Sequence, residues 1–201
     1  RQGYDKESIQ RFSNLKSTIG LTRKIMRFGK PIEHLQHATK ALNEVDEFAK
    51  FTTIGQQLGY AIYLFWDTFA WVHNAGVYKF QQIKRINENA NRFWLIGLVF
   101  SVIHGLYKLH KNGYQYNFMR RASKARFAES SEQSNVKSET ASLMKERKAV
   151  IRQLVQDLLD IILPATALGY VHFEDGFVGL TAVISSIMGA QTHWKKVNGT
   201  K

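Results

Sequence analysis

The sequence predicts an all-α fold, a membrane-associated helical bundle with a basic amphipathic N-terminal helix and short hydrophobic helices. Only two prolines occur in 201 residues, and apolar residues recur at helical spacing with little sustained alternation. We predict a single helical domain over residues 1–201, with amphipathic helices in 8–50 and hydrophobic helices in 51–107. A basic and then Ser/Glu-rich loop is predicted in 108–148, and C-terminal helices with an apolar hairpin in 149–194.

The chain is strongly basic, with 28 Lys and Arg against 16 Asp and Glu and a net charge of +12. This surplus indicates an anionic partner, either nucleic acid or phospholipid head groups. The absence of cysteine excludes a disulfide framework and thiolate metal sites. Because the chain starts at Arg1 without an initiator Met or an apolar signal segment, we expect it to be a fragment of a longer protein.

Residues 15–30 (LKSTIGLTRKIMRFGK) form the first predicted helix, and its side chains sort by polarity at about 100° per residue. The apolar half, which we expect to insert into a membrane, consists of Ile19, Leu21, Ile25, Met26 and Phe28. The basic half, which we expect to bind lipid head groups, consists of Lys16, Arg23, Lys24, Arg27 and Lys30. A surface helix of a soluble bundle can show the same pattern, but such helices usually interleave Glu with Lys. The absence of acids here favours the anionic cytoplasmic leaflet of a membrane.

A break is predicted at residues 29–31, because Gly ends helices and Pro is tolerated in the first turn of the next one. The second predicted helix covers residues 32–50 and has a sparse apolar side, which indicates partial exposure to solvent. Its His34 and His37 could share a helix face, but no third ligand follows at a suitable spacing. We therefore interpret them as surface histidines and predict no metal site.

Residues 51–72 are aromatic and apolar, interrupted by Gln56, Gln57 and Asp67. A carboxylate near the centre of a membrane helix costs about 2.5–3.5 kcal/mol on insertion scales, so a span would require Asp67 to turn inward or to lie near the interface. Gly55 and Gly59 form a Gly-x-x-x-Gly pattern, which would permit close approach of another helix.

The longest clean apolar run is 93–107, FWLIGLVFSVIHGLY. As a helix it measures about 22 Å at about 1.5 Å per residue, against a hydrocarbon core of about 30 Å. Both a short membrane span and a buried helix of a soluble bundle explain this run.

The C-terminal third contains a predicted helix over residues 144–163, after a Ser-rich segment at 129–142 with the composition of a mobile loop. Asp157 and Asp160 lie three residues apart on this helix, and we expect surface ion pairs with basic neighbours such as Arg152. Two short apolar pieces follow at 161–171 and 177–190, separated by an acidic turn, and are predicted to form a helical hairpin.

The sequence carries no signature of an enzyme. It has no Gly-rich phosphate loop, no Ser or Cys nucleophile motif and no dinucleotide fingerprint. We therefore predict no catalytic residue and no cofactor.

Several segments together resemble the fungal branch of the peroxin-eleven family of peroxisomal membrane proteins. They are residues 23–36 (RKIMRFGKPIEHLQ), 92–98 (RFWLIGL), and the C-terminal LGY at 168–170, VGL at 178–180, SSIMG at 185–189 and Trp194. The resemblance implies a peroxisomal membrane protein that bends and elongates the organelle membrane before division, with the basic residues above on anionic phospholipids and the apolar ones between lipids. It also implies self-association as a homo-oligomer and action with a dynamin-related fission GTPase and its tail-anchored adaptor. The family carries a further N-terminal stretch, about one helical hairpin, that is absent here.

Two alternatives stay open beside membrane remodelling. One is a channel for small metabolites across the peroxisomal membrane, in which Gln56, Gln57 and Asp67 would face the lumen. The other is a soluble nucleic-acid-binding bundle, which net charge alone suggests and which lacks a recognised motif. We predict no nucleic-acid partner.

Overall fold

The structure, a computed structural model, describes residues 5–125 and 130–199, with the side chains of 5–121 and 138–199. Within these ranges the chain forms six α-helices and no strand, which confirms the all-α prediction. The helices are α1 (Lys6–Ile25), α2 (Lys30–Ala41), α3 (Glu47–Asn74), α4 (Ile83–Ala125), α5 (Ser130–Ala167) and α6 (Asp175–Asn198).

The first predicted helix is wrong at both ends, because α1 begins at Lys6 and already ends at Ile25. Residues 26–29 form a turn, and α2 then begins at Lys30 with Pro31 in its first turn. A helix that continued through Pro31 would lose a hydrogen bond and force the proline ring against the carbonyl of Arg27. The chain therefore leaves the helix before Arg27. The predicted break at 29–31 is present, but it begins earlier, at residue 26.

The second predicted helix is likewise divided, because α2 ends at Ala41 and α3 begins at Glu47. Asp46 is the N-cap of α3, and its Oδ1 accepts a hydrogen bond of 3.1 Å from the backbone N–H of Ala49. The other carboxylate oxygen of Asp46 accepts from Tyr107 Oη at 2.6 Å and from Lys111 Nζ at 2.8 Å. These two donors hold the pKa of Asp46 well below its usual range and fasten the start of α3 to α4.

Helices α3 and α4 form the centre of the fold and run antiparallel. Residue numbers rise along α3 as they fall along α4 in successive contacts: Thr52 with His104, Gln56 with Ser101, and Gly59 with Gly97. At Gly59 the two backbones touch, because a Cβ there would lie 2.7 Å from Cα of Gly97. The Gly-x-x-x-Gly pattern of α3 therefore does permit close helix approach.

The remaining helices pack onto this pair. Helix α2 and the end of α1 lie against α3, whereas α5 lies against α4. Leu154 of α5 fills the space above Gly105 of α4, where a Cβ would lie 2.6 Å from its Cδ2. Helix α6 folds back onto α5, and Arg152 donates to the carbonyl oxygen of Met188 at 3.0 Å.

The predicted loop at 108–148 is wrong over most of its length. Helix α4 continues to Ala125, and α5 covers residues 130–167, including the Ser-rich part of the predicted loop from Ser130 onward. Serine is only a moderately poor helix former, and the Glu, Gln, Lys and Ala residues between the serines favour a helix. Residues 126–129 lie outside the described part of the chain.

The hydrophobic helices are longer than the apolar runs that indicated them. The run at 93–107 lies inside α4, and within the described residues α4 is the one helix long and apolar enough to cross a membrane. Its exposed apolar residues recur along one side, at Ile96, Val99, Ile103 and Leu106. This stripe is apolar, and neither α3 nor α5 buries it.

The contact of Gly59 with Gly97 generates a stability prediction. The variant Gly59→Ala should lower the free energy of unfolding by about 1–3 kcal/mol, because the added methyl group must push two backbones apart. The matched control Gly113→Ala, on an open part of α4, should raise it by about 0.5–1 kcal/mol. Thermal unfolding in detergent micelles, followed by circular dichroism, measures both, and equal effects of the two variants would contradict the proposed packing.

Candidate functional site

The end of α1 is attached to α3 through basic side chains. Lys24 Nζ lies 2.7 Å from Asp67 Oδ1, and the two side chains are only 27% and 11% exposed. In the following turn, Arg27 Nη1 donates to Tyr63 Oη at 3.3 Å. Tyr63 and Asp67 lie one helical turn apart on α3, so they present a single polar surface to the incoming segment.

The apolar side of the same segment faces away from the protein. No residue of α1 is buried, and Ile19 is 58% exposed. In the turn, Met26 is 78% and Phe28 61% exposed. Amphipathic helices of globular proteins normally bury their apolar side and expose their charges. Here Lys24 and Arg27 contact α3 while the apolar side chains remain exposed, and exposed apolar surface of this kind marks a site of interaction with a membrane or a partner.

We refer to Ile19, Ile25, Met26 and Phe28 as the outward apolar surface. Leu21, the fifth residue predicted to insert, is half-buried. Further apolar side chains continue this exposure towards the N-terminus of α1, at Ile9, Phe12 and Leu15. Sequence reasoning missed Ile9 and Phe12 because the segment it considered began at residue 15.

The five predicted head-group ligands separate into two groups. Lys16, Arg23 and Lys30 are exposed, as lipid binding requires. Lys24 and Arg27 are half-buried and bound to Asp67 and Tyr63. The basic half of this segment therefore serves two purposes, since part of it contacts α3 and part remains at the surface.

Gln56, Gln57 and Asp67, the three residues that interrupt the apolar segment 51–72, all have partners within the described residues. Asp67 pairs with Lys24, and Gln56 donates to Ser101 Oγ at 3.1 Å. The side-chain oxygen of Gln57 lies 2.7 Å from Nδ1 of His34. These hydrogen bonds and the ion pair therefore offset the free-energy cost of burying the three polar side chains.

The predicted surface ion pairs of Asp157 and Asp160 are wrong. Asp157 is 2% exposed, and its two oxygens accept from Ser101 Oγ at 2.5 Å and from Gln153 Nε2 at 2.8 Å. Asp160 accepts from Ser185 Oγ at 2.5 Å. Burial raises the pKa of both carboxyl groups. The available signal was the position of both acids inside the apolar stripe of α5, which we interpreted through their basic neighbours in the sequence.

Exposed apolar surface extends to other helices. Exposed apolar residues repeat along α3 at Phe51, Leu58 and Phe65, two turns apart each time. Helix α6 exposes Leu180, Val183, Ile184 and Ile187. Together with the stripe on α4, these surfaces would be costly in water and are suited to lipid or to another chain.

Proteins that the chain is similar to are named as membrane proteins, which agrees with its exposed apolar surface. A family model described as Peroxisomal biogenesis factor 11 (PEX11) matches residues 1–194. The chain is 27% identical to the peroxisomal membrane protein PMP30B of Candida boidinii, over 100% of this chain and 82% of that protein. It is 26% identical to PMP27 of Saccharomyces cerevisiae, covering 90% and 78% of the two chains.

The likeness extends to animals, since the human peroxisomal membrane protein 11A is 23% identical over 92% of this chain and 79% of that protein. No solved structure matches the chain. The resemblance found in the sequence is confirmed, because the family model covers nearly the whole chain. The chain belongs to the Peroxisomal biogenesis factor 11 family.

Proposed function

We propose that this peroxisomal membrane protein bends and elongates its membrane by inserting the outward apolar surface into one leaflet. The observation that supports the proposal is that Lys24 and Arg27 attach the end of α1 and the following turn to α3, while the apolar residues of the same segment are exposed. The names of its relatives place them in the peroxisomal membrane and in peroxisome biogenesis. The proposal includes no catalytic step.

Insertion of the outward apolar surface into one leaflet changes the curvature of the membrane. Apolar side chains that enter only one leaflet enlarge the area of that leaflet, which favours curvature. Each side chain of the outward apolar surface that becomes half-buried among lipid tails contributes about 1 kcal/mol to binding, half the value for full burial. Lys16, Arg23 and Lys30 add up to about 1 kcal/mol each on an anionic surface. The total suffices for reversible binding of α1 without a contribution from Lys24, which is bound to Asp67.

The inserted surface keeps a defined orientation in the membrane when the rest of the protein is held in the same membrane. The stripe of α4 and the exposed aromatic residues of α3 provide such an anchor, because they are apolar and lie outside the core. The ion pair of Lys24 with Asp67 then connects α1 directly to the anchored helix α3. We propose that this connection fixes the depth and direction of α1 relative to the bundle.

The geometry supports bending better than a channel. A lumen lined by Gln56, Gln57 and Asp67 would require these side chains to give up Ser101, His34 and Lys24. Self-association and contact with a dynamin-related fission GTPase and its tail-anchored adaptor stay predictions from the resemblance.

The double variant Ile25→Glu with Phe28→Glu should abolish tubulation of acidic liposomes. Both side chains are exposed, so their replacement leaves the core intact and places two carboxylates where lipid tails are expected. Electron microscopy of liposomes with reconstituted protein measures tubule formation. The matched control Gln10→Glu with Asn14→Glu adds the same charge to α1 without removing apolar residues and should retain most of the activity. Tubulation at the wild-type level by the Ile25→Glu, Phe28→Glu variant would contradict the proposed mechanism.

The ion pair between α1 and α3 predicts a charge-swap rescue. Lys24→Asp alone and Asp67→Lys alone each replace the attraction with like charges that face each other, which should release the end of α1 and reduce tubulation strongly. The swap of both residues restores opposite charges and should recover most of the activity. Hydrogen exchange of the backbone amides of residues 20–28 reports the release directly. If the swapped protein behaved no better than the single variants, the attachment of α1 through this pair would be disproved.

A further inference from the structure

A polar cavity of about 320 Å³, widely open to solvent, lies where the 26–29 turn and α2 meet α3, α4 and α5. Its lining carries opposite charges on different elements, since Arg27, Lys30 and His34 form a basic end and Asp157 with Asp160 an acidic end. No ion pair within 4 Å joins the two ends, although all five residues line the same space. The aromatic side chains of Tyr60, Tyr63 and Trp94 complete the lining.

Among the described residues, the two carboxylates of the acidic end have no basic side chain as a partner. Asp157 and Asp160 accept hydrogen bonds only from neutral donors of Ser101, Gln153 and Ser185. Buried carboxylates normally have a positive partner, because removing the charge from water is costly. A primary ammonium group carries three N–H donors and could bond both carboxylates together.

The basic end has unused donors. Of the five N–H groups of Arg27, one binds Tyr63 Oη, and the remaining four can bind a phosphate in the bidentate manner that guanidinium favours. Lys30 is exposed at the same end and adds a second positive charge. This combination of Arg and Lys is typical of sites for phosphate groups.

The volume indicates a small ligand. Sites for small molecules usually measure about 300–1,000 Å³, so a cavity of about 320 Å³ suits a small ligand that carries both charges. A phosphate monoester or diester of ethanolamine has this distribution of charge. A choline ester is less suitable, because its quaternary ammonium has no N–H to donate to a carboxylate.

We propose that this cavity binds phosphoethanolamine, with the phosphate at Arg27 and Lys30 and the ammonium at Asp157 and Asp160. The ligand is either the head group of a phospholipid or the free ester. The lipid source rests on the proposed function, since Met26 and Phe28 in the leaflet would place Arg27 at the level of the head groups. The free ester requires no such orientation.

Titration calorimetry of the whole chain in detergent micelles tests the shared chemistry with three soluble probes: O-phosphoethanolamine, O-phosphocholine and inorganic phosphate. We expect O-phosphoethanolamine to bind about tenfold more tightly than the other two, because only it fills both ends. Asp160→Asn should remove this preference, whereas Lys30→Gln, an exposed position that the fold does not require, should weaken all three probes. Asp175→Asn makes the same chemical change at an exposed residue outside the cavity and should leave binding unchanged.

A second arm distinguishes the two sources. Native mass spectrometry of protein from micelles with equal phosphatidylethanolamine and phosphatidylcholine should show a preference for the former that Asp160→Asn abolishes. Preference in this arm identifies the lipid, and preference only among the soluble probes identifies the free ester. No preference in either arm, or the same behaviour of Asp160→Asn and Asp175→Asn, would overturn the proposal. The Ile25→Glu, Phe28→Glu variant should keep binding the soluble ester, so a failure of membrane bending is separable from a failure of this site.

Discussion

The contact of Gly59 with Gly97 determines how the other helices can be arranged. Because neither residue has a side chain, the backbones of α3 and α4 meet and bring polar groups of both helices within hydrogen-bond reach on one side of the contact. The next two turns of α3 then present Tyr63 and Asp67, and the next turn of α4 presents Ser101. Helices α1 and α5 dock on these polar positions. Since α1 is attached to α3 and α5 to α4, a wider separation of the central pair would move α1 and α5 apart.

The docking of α1 by charge explains why its apolar side remains free. A helix that packs through apolar residues loses them for any other purpose, whereas Lys24 and Arg27 fasten α1 through its polar side. The partly buried environment strengthens this attraction relative to water. The exposed apolar residues of α1 are therefore a consequence of how the helix is held, and they give the membrane proposal its physical basis.

Sequence reasoning predicted features that are local. The spacing of Gly55 and Gly59, the sorted halves of residues 15–30 and the break before Pro31 were all visible in short windows. It could not predict which half of α1 faces the bundle, because Asp67 lies on a different helix, far along the chain. For the same reason Asp157 was assigned to nearby basic residues, although Ser101 of α4 is its partner. Composition also failed for residues 130–142, where individual helix propensities outweighed the loop-like serine content.

The depth of α1 in a membrane tests the account most directly, and the absence of cysteine makes single-site labelling straightforward. Spin labels at Ile19→Cys and Lys16→Cys can be compared in acidic vesicles by their accessibility to oxygen, which concentrates among lipid tails, and to a water-soluble nickel complex. We expect the label at position 19 to be reached by oxygen and shielded from nickel, while the label at position 16 remains accessible to nickel. Equal nickel accessibility of both labels, or the reverse order, would contradict it.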